Sequence, residues 1–123
     1  MRLVQVAQRA EDLGRAAAFY ADLLGSEPVA TFDPPGLVFF DVGGVRLLLD
    51  NGAPSALVYV GVSDLEATLT RLRERGVEVV GEPHVIFTHE DATLGPAGTD
   101  EWMAFIKDSE GNTVGLVEQR VRT

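Results

Sequence analysis

The strongest constraint in this sequence is an internal repeat. Asp12-Leu13 and Asp64-Leu65 stand 52 residues apart, and Gly25 and Gly76 stand 51 apart. Between each Asp-Leu and its glycine, apolar residues recur at helical spacing: Leu13, Ala16, Ala17, Tyr20, Leu23 and Leu24 in the first copy, Leu65, Leu69 and Leu72 in the second. Asp12 is placed to cap the first helix. Ser63-Asp64-Leu65-Glu66 reads as a capping box for the second, with Ser63 as the cap and Glu66 reaching back. Matching landmarks at matching spacing point to a duplicated module.

Each helix is preceded by one β-rich run and followed by three. In the first half the runs are residues 2–8, then 28–32, 37–42 and 45–50, with Gly43-Gly44 predicting a tight hairpin. Residues 51–55 are a polar break between the halves. In the second half the runs are residues 56–62, 77–80 with 84–87 as one bent strand, 101–107 and 113–119, and residues 88–99 are expected to be a long irregular loop. The fold expected is α+β, a single domain over residues 1–123 made of two tandem β-α-β-β-β modules, 1–52 and 56–120, forming a curved mixed sheet around a cavity.

With 123 residues, 46% of them apolar, the chain can bury one core. Cysteine is absent, which removes disulfides, thiolate metal ligands and a cysteine nucleophile. No segment reaches the roughly 20 consecutive apolar residues of a membrane helix, and the first residues lack the apolar core of a signal peptide, so the expected location is cytoplasmic. A net charge of −9 disfavours nucleic acid and anionic membranes as partners.

Residues 6–13, the run Ala18-Phe19-Tyr20-Ala21-Asp22-Leu23-Leu24-Gly25 and the turn Lys107-Asp108-Ser109-Glu110-Gly111-Asn112 together resemble the vicinal oxygen chelate superfamily. That superfamily includes glyoxalase I, bleomycin-resistance proteins, methylmalonyl-CoA epimerase and extradiol dioxygenases. The resemblance implies the glyoxalase/bleomycin resistance/dihydroxybiphenyl dioxygenase fold, and a homodimer that covers exposed sheet edges. It also implies four metal-ligand positions, which fall here on Gln5, Leu48, Leu57 and Gly115. Leucine and glycine offer no donor atom and a lone glutamine amide is a weak ligand, so the expectation is no metal and no other cofactor.

Two functional classes remain open. One is a protein that binds a small, partly apolar ligand, with Gln5, Leu48, Leu57, Tyr59, His84, Trp102 and Gly115 as the candidate lining. The other is a metal-independent isomerase, epimerase or lyase that moves protons through His84 or Glu101. A subunit whose cavity is closed by packing is the blander alternative. Trp102 suits a ligand wall and a core equally. Tyr59 should share the side of Leu57 by strand alternation, His89 is expected in mobile loop, and Asp33, Arg46 and Asp50 read as surface charges. A metal site built from His84, His89 and Glu101 would need three donors scattered over a loop and two strands.

Overall fold

The computed structural model describes residues 1–122, which form two compact units. The first comprises Met1–Ala56 together with Asp108–Asn112. It contains strand β1 (Gln5–Arg9), helix α1 (Leu13–Leu24) and strands β2 (Ala30–Phe32), β3 (Leu37–Val42) and β4 (Val45–Asp50). The sheet order is β1-β4-β3-β2. β4 lies parallel to β1, and the other neighbours are antiparallel. The second unit comprises Leu57–Lys107 and Thr113–Thr123, of which residues 57–107 and 113–122 are described. It contains β5 (Val58–Gly61), α2 (Leu65–Glu74), β6 (Val79–His89), β7 (Thr99–Lys107) and β8 (Thr113–Val121). Its sheet order, β5-β8-β7-β6, repeats that of the first unit. The duplication legible in the sequence is therefore a duplication of topology.

Local chemistry explains most boundaries. The Asp12 side chain accepts from the Arg15 N–H at 3.0 Å and starts α1. Gly25, at φ 69°, ends it in the left-handed conformation. Gly43 (φ 59°) and Gly44 (φ 88°) both take positive φ between Val42 and Val45, as a two-residue turn of the primed type requires. The second helix departs from the expected capping box. Asp64, not Ser63, is its cap, accepting from the Ala67 N–H at 3.0 Å. Glu66 pairs instead with Arg120.

The core of the first unit lies between α1 and one face of its sheet. Ala16 and Tyr20 pack on Val38, Phe40, Leu47 and Leu49, all nearly or fully buried. Tyr20 and Phe40 have ring centroids 6.5 Å apart. The Tyr20 hydroxyl donates to Asp108 Oδ2 at 2.7 Å, and burial beside this carboxylate pushes the phenol pKa well up. Asp108 in turn orders its own turn, accepting from the Glu110 and Asn112 N–H groups through Oδ1, each at 2.8 Å. Asn112 donates to the Arg9 carbonyl at 2.8 Å. Glu110 accepts from the Asp12 N–H (2.8 Å), from Arg15 Nε (2.7 Å) and Nη2 (3.1 Å), and from Ser109 (2.9 Å). The Asp-Ser-Glu-Gly-Asn turn is thus a clasp on the start of α1 and the end of β1. Gln8, fully buried, adds a second fastening by donating to the Ala56 carbonyl (3.0 Å) and accepting from the Ala56 N–H (2.8 Å).

In the second unit Leu65, Leu69 and Leu72 are the buried residues of α2, as their spacing predicts. The strand residues Ala104, Ile106, Val114 and Leu116 are fully buried. β6 is longer than the sequence suggested. It runs through His89, with register shifts against β7 between Val79 and Gly81, Gly81 and His84, and Val85 and Phe87. Irregular chain is left only between β6 and β7, in residues 90–98.

Candidate ligand site on the helix-free sheet faces

Because side chains alternate along a strand, each sheet has one face toward its helix and one away from it. In the first unit Leu47 and Leu49 face α1, so Arg46 and Leu48 face the other way. Their cross-strand partners follow: Gln5 stands opposite Arg46, Ala7 opposite Leu48, and Phe39 opposite Leu48 on the other side. Gln5 and Leu48 therefore share a face, as expected, yet they are diagonal neighbours. The side chain that meets Gln5 is Arg46, whose Nε donates to Gln5 Oε1 at 2.9 Å. Arg46 is consequently more than a solvated charge. Beside this pair Val29, Ala30, Phe32 and Phe39 complete a concavity of about 260 Å³. The rings of Phe32 and Phe39 meet edge to face at 6.0 Å.

In the second unit the helix-free face carries Tyr59, Phe105 and Gly115. Tyr59 is paired in register with Gly115, and its ring stands edge to face with Phe105 at 6.2 Å. A Cβ on Gly115 would lie 2.8 Å from Tyr59 Cδ2 and 3.3 Å from Phe105 Cε1. The glycine is there because the tyrosine ring occupies the space a side chain would need. Leu57 sits just before β5 and is half exposed.

Trp102 is placed elsewhere. It alternates with Ala104 and Ile106 and is paired with Glu118, which caps α2 by accepting from the Leu65 N–H at 2.7 Å. Its ring is covered by the Arg120 guanidinium at 4.3 Å, and Arg120 also pairs with Glu66 and Glu118. Trp102 therefore lies on the α2 side of its sheet and does not share a face with Tyr59. The register sets the two proton-transfer candidates on one face of the second sheet, opposite different residues: His84 stands across from Met103, and Glu101 across from Phe87. His84 is exposed, with Nδ1 2.9 Å from the Glu82 carbonyl, and is paired with Met103. Glu101 is bonded to His89, whose Nε2 is 3.0 Å from Glu101 Oε1, and Gln119 donates to the same oxygen at 3.1 Å. His89 is only 2% exposed, a correction to the mobile-loop expectation. Gly95 packs against its ring, leaving no room there for a Cβ. Its Nδ1 has no partner among the described residues.

The positions where the resemblance implies metal ligands do not fit a divalent cation. Gln5 already accepts from a guanidinium whose charge would repel a metal, Gly115 is covered by Tyr59, and Leu48 and Leu57 have no donor atoms. His84 does not join His89 and Glu101, so the scattered site weighed from sequence is not assembled. One triad of carboxylates converges among the described residues, Asp64, Glu66 and Glu118. Each already has structural work, Asp64 and Glu118 in capping α2 and Glu66 in pairing Arg120.

No helix among the described residues is long and apolar enough to cross a membrane. Comparison with known proteins matches residues 2–116 to the profile of the Glyoxalase/Bleomycin resistance protein/Dioxygenase superfamily. A glyoxylase-like domain-containing protein of Didymella fabae is 31% identical over 116 residues, covering 85% of this chain and 83% of that one. Among solved structures, a lactoylglutathione lyase from Agrobacterium tumefaciens superposes with a TM-score of 0.65 at 26% identity, covering 95% of this chain and 92% of that one. TnmS3, an antibiotic binding protein from Streptomyces sp. CB03234, superposes at 0.68 with 20% identity, covering 98% and 97%, and shows likeness of fold. Together with the repeated β-α-β-β-β topology, the match over most of the sequence identifies this chain as a member of the Glyoxalase/Bleomycin resistance protein/Dioxygenase superfamily.

Proposed function

We propose that this protein binds a small, partly apolar ligand without a divalent metal at the superfamily's ligand positions. The observation that carries the reading is the concavity on the first sheet. There an apolar wall of Val29, Phe32 and Phe39 stands against a polar end made by Gln5 and Arg46, at the place where a metal ligand would be expected. Leu48 shares this face but is buried, so it backs the concavity rather than lining it; Leu57 and Tyr59, each about half exposed, are apolar surface of the second unit. Trp102, on the α2 side of its sheet, does not share the face of Tyr59, whereas His84 stands opposite Met103 on that face. A fold shared with an antibiotic binding protein is consistent with binding as the activity. Exposed Val85, Ile86 and Phe87 on the edge strand β6 support a homodimer, to be checked by sedimentation. The test of function is metal analysis of the purified protein together with mass spectrometry of small molecules that co-purify. The expected result is a bound organic molecule and no stoichiometric metal; zinc, iron, manganese or nickel at one equivalent would overturn the reading.

A second reading rests on Glu101. Its Oε1 is fixed by His89 and Gln119, as an oriented proton-transfer group would require. Turnover of a candidate substrate that is lost in Glu101→Gln and retained in His84→Ala would favour this reading over simple binding.

A further inference from the structure

We propose that the concavity on the first sheet selects ligands carrying a carboxylate next to a flat apolar body, and that Arg46 is the residue that reads the carboxylate. The inference rests on the ligand-binding reading above and names the chemical class. Arg46 uses Nε to hold Gln5 Oε1, and this bond fixes the plane of the guanidinium. Nη1 and Nη2 have no carboxylate partner among the described residues, so a two-donor edge remains, matched in geometry to a carboxylate. Asp41, the cross-strand neighbour of Arg46 on β3, turns its own carboxylate to the Gly44 N–H at 3.2 Å. Glutamine cannot neutralise the arginine as a glutamate would, so the positive charge stays available to a ligand. A site for a neutral or cationic molecule would not leave an unpaired guanidinium at its polar end in a chain of net charge −9.

Size and shape narrow the class. About 260 Å³ lies just under the roughly 300–1,000 Å³ of pockets for drug-sized molecules, which suits a body of one or two fused rings. Phe32 and Phe39, meeting edge to face, present one ring face and one ring edge to such a body. The ligand would lie along the phenylalanines with its carboxylate toward Arg46.

The experiment is an NMR titration of the full chain at low salt with 2-naphthoate and with 2-naphthamide, the same body without the charge. A charge-assisted pair should make the acid bind about tenfold tighter than the amide or more, with the largest shifts at Gln5, Phe39 and Arg46. In Arg46→Gln, an exposed substitution that leaves the rest of the spectrum in place, acid and amide should bind alike. Equal affinity of the two probes for the unaltered chain would overturn the carboxylate inference while leaving ligand binding intact, as would a preference for the acid that survives in Arg46→Gln. Failure of both probes to bind below about 10 mM, weaker than roughly 3 kcal/mol, would overturn this inference and the reading it rests on together.

Discussion

Glu110→Gln tests the clasp that closes the first unit. In the native chain Glu110 accepts four hydrogen bonds, two of them from the Arg15 guanidinium. The Arg15 bonds, followed by those from the Asp12 N–H and Ser109, hold its carboxyl down at about 2 from an ordinary value of 4.5, although burial alone would raise it. At about 1.4 kcal/mol per unit that depression corresponds to roughly 3 kcal/mol, reduced to about 2 kcal/mol because the Arg15 side chain is half exposed and screened by solvent. The folded pKa is below the unfolded one, so the stabilisation is complete above pH 4.5 and lost as pH falls toward 2, with more than half gone by pH 3. Urea unfolding at pH 7 should therefore show Glu110→Gln less stable by about 2 kcal/mol, with a Tm lower by roughly 6–10 °C. At pH 3 the gap between the two proteins should be less than half as large. A gap below about 0.5 kcal/mol at pH 7, or one unchanged at pH 3, would refute the assignment of this stability to the Glu110 charge.

Three further outcomes follow from the geometry. Tyr20→Phe removes the hydroxyl that donates to Asp108 at 2.7 Å in a buried site, and chemical denaturation should show a loss of about 1–3 kcal/mol. Gly115→Ala places a methyl 2.8 Å from the Tyr59 ring and should cost about 1 kcal/mol in the same assay; in a Tyr59→Ala background that cost should largely disappear, because the obstructing ring is gone. Arg120→Ala uncovers the single tryptophan and breaks the pairs with Glu66 and Glu118, so Trp102 emission should shift to the red and stability should fall by about 1 kcal/mol. Unchanged emission would contradict the placement of Trp102 beneath that guanidinium.

Much of the fold could be read from the chain because its signals are local. The Asp12 cap, the Gly25 stop and the Gly43-Gly44 turn are each written within a few residues, and the recurrence of the cap and the stop at Asp64 and Gly76 discloses the duplication. The site was harder to read because it depends on which strand residue stands beside which. Gln5 and Arg46 are 41 residues apart, and only the parallel register of β1 on β4 brings them together. Trp102 could have been placed by counting back in twos from Ile106 and Ala104, two apolar residues that must meet the helix. His89 could not, since the shifts in the β6–β7 register break the alternation that such counting needs. Its burial comes from a loop glycine, Gly95, and from Glu101 on the neighbouring strand, neither of which marks itself in the sequence.

The turn between β7 and β8 belongs to the first unit although it is encoded almost at the end of the chain. During synthesis the first unit must therefore wait. Until residue 112 leaves the ribosome, the Tyr20 hydroxyl, the Arg9 carbonyl and the N–H of Asp12 lack the partners that Asp108, Asn112 and Glu110 provide. The gene can be read as two copies of one module, but it cannot be cut into two: a fragment stopping at the joint would carry a complete set of strands and an unfinished interior.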